Sequence, residues 1–224
     1  MSRREFDRQL ESLRAEVVAL GETVVERLEA AAEALERGDR ELVDRVVEGD
    51  DEIDERHREI ERNCIDLFAL QQPVATDLRE VAGAYKISTD IERVGDLAEN
   101  VAQYGLDLER ELYPEIPLAD LTETARRMVE DAVEAYAESG DAWRCHELAD
   151  RDAELDAMCA HAGEVITRTL IEHDAADTED VEELVADVTT LMLVVRDLER
   201  VGDHAVNIAG RTLYITEGDD TLLE

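Results

Sequence analysis

The chain has 224 residues, 59 of them acidic and 23 basic, for a formal net charge of −36 at pH 7. That balance excludes a nucleic-acid partner, because phosphate contacts need Lys/Arg patches and the release of counterions. It does not signal disorder, since 44% of the residues are apolar and they recur at regular spacing. Lys86 is the only lysine, and such a surface suits a protein that stays hydrated in molar salt, so a halophilic microbe is the expected source. Cys64, Cys145 and Cys159 form no CxxC pair and are too few for a disulfide framework, so packing in a reducing compartment is expected. The N-terminus carries no apolar signal core, and the longest strong apolar run, residues 191–195, is far too short to span a bilayer. A soluble, cytoplasmic protein is expected.

Along the chain, apolar residues at Leu10, Leu13, Val17, Leu20, Val24, Leu28, Ala31 and Leu35 step by three or four, which predicts a long amphipathic helix. It ends at Gly38, and Asp39 is a suitable N-cap for a second helix. That second helix carries Leu42, Val46, Ile53, Ile60, Cys64 and Leu67 on one face and stops near Gln71-Gln72-Pro73. A third starts with Pro73 in its first turn and runs through Leu78, Val81, Tyr85, Ile91, Val94, Ala98 and Val101. Tyr113-Pro-Glu-Ile-Pro117 is the clearest linker, because two nearby prolines discourage helix. The plan then repeats: a helix over 118–138, a Ser139-Gly140-Asp141 break at an offset of 102 from Arg37-Gly38-Asp39, a fifth helix to about His173, and a sixth from Thr178 to about Tyr214. About five extra residues fall in the second half's middle connector, 172–177. The expected fold is all-α: a tandem duplication of antiparallel three-helix bundles with six long helices, over 1–113 and 114–217, and an acidic tail at 218–224.

The duplication is sharpest at Asp90-Ile-Glu92-Arg-Val-Gly95-Asp96-Leu-Ala-Glu99-Asn100-Val-Ala102. This stretch returns 107 residues later as Asp197-Leu-Glu199-Arg-Val-Gly202-Asp203-His204-Ala-Val-Asn207-Ile-Ala209, with nine of thirteen positions identical. Spacing alone carries no information, because in so acidic a chain about 15 acid pairs at i, i+4 arise by chance. Recurrence does. Glu92/Asp96 is matched by Glu199/Asp203, and Asp50/Asp54 on the second helix by Asp152/Asp156 on the fifth. Side chains at i and i+4 lie about 40° apart around a helix and one turn along it, so each pair converges on one ion or cluster. Asp50 and Asp54 fall beside an apolar stripe, while Glu92, Asp96 and Asn100 share a polar side, which predicts a surface groove between two helices.

Eight oxygen donors without a recurring His or Cys point to hard cations: Mg, Ca, Mn or ferric iron. His57 is read as packing, since its counterpart is Cys159, and His204 has Leu97 as its counterpart. Arg93 and Arg200 either steady the carboxylates or are solvated. Gly95 and Gly202 each cost about 1 kcal/mol inside a helix relative to Ala, and admit either a neighbouring helix or a bulky ion.

These stretches, with Leu70-Gln-Gln-Pro-Val-Ala-Thr-Asp-Leu-Arg79, resemble the PhoU family, phosphate-signalling proteins built from two three-helix PhoU domains. The resemblance covers essentially the whole chain. It implies multinuclear metal clusters, iron or zinc, held by Asp50, Asp54, Glu92 and Asp96 in one half and by Asp152, Asp156, Glu199 and Asp203 in the other. It also implies a negative regulator of phosphate uptake that acts on the ATPase subunit of a phosphate ABC transporter and, in bacteria, on a sensor histidine kinase; a homodimer is expected. The second copy lacks the Gln-Gln-Pro signature, so the halves need not bind partners equally. Two other functions compete. A carboxylate-based metalloenzyme is disfavoured because the chain has no Glu-x-x-His, P-loop, nucleophile elbow or HExxH. A purely structural helical protein with a salt-adapted surface predicts that no metal copurifies.

Overall fold

The computed structural model describes residues 3–71, 75–108, 116–138, 142–172 and 178–223. The described residues form seven helices: α1 (Arg3–Arg37), α2 (Arg40–Glu48), α3 (Asp50–Gln71), α4 (Ala75–Tyr104), α5 (Leu118–Ala137), α6 (Ala142–Glu172) and α7 (Thr178–Thr216). Each side chain of the expected first stripe, from Leu10 to Leu35, is buried. The helix stops where its sequence says it should. Gly38 takes a left-handed conformation, φ +56°, and donates its N–H to the Ala34 carbonyl at 2.8 Å. Asp39 is extended, and its carboxylate accepts the Glu41 N–H at 2.9 Å, capping α2.

The expected second helix is divided at Gly49 into α2 and α3. The buried Arg27 of α1 lies over Gly49, and a Cβ at that position would stand 2.0 Å from the Arg27 Nη2. At an offset of 102 the counterpart of Gly49 is Arg151, and α6 runs through it unbroken. The Gln72-Pro73 turn, the Ser139-Gly140-Asp141 break, the start of the linker with the 113/114 boundary, and residues 173–177 of the middle connector lie outside the described residues.

Helix α1 packs on α4 and α3, and α2 closes the same group; α5 and α6 pack on α7. These are the two three-helix bundles expected. They join along α4–α7 and α1–α5. Two buried aspartates stitch the first of these interfaces. Asp90 of α4 accepts the Arg211 Nε–H at 2.9 Å and the His204 Nδ1–H at 3.0 Å, both from α7. Asp197 of α7 accepts the Tyr104 hydroxyl of α4 on Oδ2 at 3.2 Å, and its Oδ1 accepts the Nε–H and Nη2–H of the neighbouring Arg196 at 2.9 and 2.7 Å. The offset of 107 that relates Asp90 to Asp197 also relates Tyr104 to Arg211, so the Asp90–Arg211 and Asp197–Tyr104 bonds occupy the same place in the repeat, while His204 and Arg196 have Leu97 and Thr89 as counterparts. Burial alone would push the Asp90 carboxyl up, but the hydrogen bonds from His204 and Arg211 hold it below its usual range.

All three cysteines are buried, and burial pushes the Cys64 and Cys159 thiols up to about 12, as packing residues. Among the described residues no helix is long and apolar enough to cross a membrane.

Candidate metal centre

The structure gathers the eight repeated carboxylates into two groups of four. In the first half, Asp50 and Asp54 project from α3 towards Glu92 and Asp96 on α4. The Glu92 carboxyl is pushed up by partial burial and then by Asp96, Asp54 and Asp50, and that of Asp96 by burial and then by Asp50 and Asp54. Glu99 belongs to the same group: burial, Asp50 and Asp96 raise it too. Sequence recurrence could not find Glu99, because its counterpart is Val206.

In the second half, Asp152 and Asp156 of α6 face Glu199 and Asp203 of α7. Asp152 is pushed up to about 6 by burial and by the charges of Asp156, Asp203 and Glu199. Glu199 is raised by burial, Asp156 and Asp203. The Asp152 Oδ1 is buried and accepts no hydrogen bond. A buried carboxylate oxygen without a donor is costly, and a cation is what would satisfy it among like charges. The donor set is all oxygen, which suits a hard cation. Among the described residues, no three His, Cys, Asp or Glu side chains already converge on one ion position.

The glycines let the helices approach. A Cβ on Gly202 would meet Leu155 Cδ2 at 2.6 Å and Asp152 Oδ1 at 2.9 Å, and one on Gly95 would meet Ile53 Cδ1 at 3.2 Å. Ile53 and Leu155 are repeat counterparts and fully buried, so each glycine receives the same side chain from the neighbouring helix. Of the two roles open from sequence, helix packing is the one the side chains display. His57 is half-buried, with Nε2 at 3.4 Å from the Thr89 hydroxyl, a packing position. His204 belongs to the Asp90 stitch. Arg93 and Arg200 are exposed, and both ease the repulsion at Asp96.

The comparisons agree with this architecture. The PhoU domain model matches residues 17–105 and 118–212, one match per bundle. A phosphate-specific transport system accessory protein PhoU homolog from Xylella fastidiosa is 33% identical over 221 residues, covering 97% of this chain and 89% of the relative. A homolog of the same name from Clostridium acetobutylicum is 31% identical over 221 residues, 97% of each chain. Among solved structures, PhoU from Pseudomonas aeruginosa superposes with a TM-score of 0.87 at 30% identity, over 96% of this chain and 100% of that one. The phosphate transport system regulatory protein PhoU from Streptococcus pneumoniae gives 0.85 at 25% identity, over 96% and 98%. With a family match in each bundle and relatives of this identity along nearly its whole length, the chain belongs to the PhoU domain family.

Proposed function

We propose that this chain is a non-enzymatic, metal-bearing negative regulator of phosphate uptake and phosphate signalling. It docks on the ATPase subunit of a phosphate ABC transporter, and on a sensor histidine kinase where one is present. The relatives from Xylella and Clostridium are named accessory proteins of phosphate-specific transport, and this supports the regulatory reading. The observation that carries the metal is the pair of repeat-related carboxylate groups, with a buried, unpartnered Asp152 Oδ1 in one of them. Asp50, Asp54, Glu92 and Asp96 hold one cluster and Asp152, Asp156, Glu199 and Asp203 the other; iron or zinc is the family expectation, and Mg, Ca or Mn also suit the ligands. The bound cation neutralises the carboxylates and fastens α3 to α4 and α6 to α7, which sets the docking face. The protein works in the cytoplasm as a homodimer and meets the membrane only through the transporter.

The test is phosphate uptake in phosphate-rich medium. Deleting the gene is expected to derepress uptake, the wild-type gene to restore repression, and a variant with all eight carboxylates changed to Asn or Gln to fail, although it accumulates as a helical protein. Unchanged uptake on deletion sinks the regulator. Full repression by the eightfold variant sinks the role of metal.

A further inference from the structure

Besides Glu99, which only the first group has, the two carboxylate groups differ in a further respect that their matched motifs conceal. In the first, both aspartates already have a cation from this chain. Asp50 lies 3.5 Å from the Arg27 guanidinium, whose side chain is only 8% exposed, and Asp54 is ion-paired with Arg58 one turn along α3. Asp50 also opens α3, where the partial positive charge of a helix N-terminus favours an anion.

In the second group each of these supports is missing. The buried series Leu20, Val24, Leu28, Ala31, Ala34 and Leu35 of α1 maps onto Leu121, Ala125, Val129, Ala132, Ala135 and Tyr136 of α5 at an offset of 101. The two family matches begin at 17 and 118, the same offset. In that register the counterpart of Arg27 is Met128, a shorter unbranched side chain without charge. Its Cε comes within 3.6 Å of the Cβ position of Gly202, the point that Asp152 Oδ1 also approaches at 2.9 Å. The counterpart of Arg58 is Ala160. Arg151, which replaces Gly49, pairs with Asp131 and Glu147 and leaves Asp152 Oδ1 without a donor. Asp152 itself lies well inside α6, away from a helix terminus.

We infer that the two grooves are unequal cation sites: the α6–α7 groove loads first, and the α3–α4 groove carries a built-in counterion, Arg27 seated on Gly49, that a metal must displace. This rests on the metal reading above. A cation entering the second groove relieves the unpartnered Asp152 oxygen and the repulsion that its neighbours exert on it. One entering the first replaces the Asp50–Arg27 pair and brings a second positive charge beside a buried guanidinium, so part of its gain is offset.

The experiment uses full-length protein with one groove disabled at a time, Asp50→Asn with Asp54→Asn, or Asp152→Asn with Asp156→Asn. Each is dialysed against a series of buffered free Zn²⁺ concentrations, retained zinc is measured by elemental analysis, and helicity is checked by circular dichroism. The protein retaining only the α6–α7 groove is expected to half-saturate at a free zinc concentration lower by about tenfold or more than the protein retaining only the α3–α4 groove. Arg27→Met or Arg27→Gln, added to the latter, is expected to close most of that gap; Arg58→Ala, an exposed change that cannot disturb the core, is expected to close a smaller part. Equal half-saturation, tighter binding by the α3–α4 groove, or a gap untouched by any folded Arg27 or Arg58 variant overturns the inference. Zinc retained by neither protein overturns the metal reading itself, an outcome distinct from equal binding.

Discussion

Asp152 is the residue at which the chemistry of this protein is most exposed to test. Its carboxyl sits at about 6 where an unfolded aspartate titrates near 3.8, because burial and three neighbouring carboxylates disfavour the charged form. The sign follows from linkage: the folded protein binds this proton more tightly than the unfolded chain does, so Asp152 favours the fold below the unfolded value. That contribution is lost as pH rises from about 4 through 6. Metal-free protein should therefore lose stability over this interval, and Asp152→Asn, which cannot ionise, should lose less. Denaturant midpoints of both proteins at pH 4, 5, 6 and 7 check this; parallel pH curves would mean that Asp152 is not the group responsible.

At the scale of the helices, close packing across α6–α7 is tighter than across α3–α4. Replacing either motif glycine by alanine gains about 1 kcal/mol of helix propensity. At Gly202 the new methyl meets Leu155 Cδ2 at 2.6 Å in a fully buried position, whereas at Gly95 the nearest atom is 3.2 Å away. Overpacking a close-packed core costs about 1–3 kcal/mol. Gly202→Ala should thus be destabilising by about 1 kcal/mol, and Gly95→Ala should be near neutral; thermal melts that rank them in the opposite order would contradict the packing described. The same helices show which features a sequence displays. The first helical stripe, its Gly38 stop and the Asp39 cap were legible because they depend on neighbours along the chain. The split at Gly49 was not, since the contact that marks this glycine comes from Arg27 on α1. Recurrence picked out the eight carboxylates as two groups, but Glu99 and Arg27 escaped it because Val206 and Met128 stand at their counterparts.

For the molecule as a whole, the question is what holds two like-charged halves together. A net charge of −36 on 224 residues opposes any compact state, more so at low salt. Against it stand the apolar α4–α7 and α1–α5 seams and the two pseudo-symmetric stitches, in which Asp90 is 2% exposed and Asp197 0%. Both aspartates lie two residues before the Glu of a carboxylate motif, so the seam between the halves and the candidate metal grooves share the same turns of α4 and α7. In a chain so rich in acids, nothing in the spacing of Asp90 separates it from a solvated one; only its burial and its partners on α7 do. Asp90→Asn leaves the Arg211 and His204 side chains without their anion in a buried position, and breaking a buried pair from one side costs about 3–5 kcal/mol. Surface repulsion is screened by salt, but a buried pair is screened far less. Denaturant unfolding in dilute buffer and in molar KCl should therefore show wild-type stability rising with salt, while the deficit of Asp90→Asn stays nearly constant. A deficit that vanishes in molar KCl would place Asp90 among the surface charges and leave the seam to its apolar contacts.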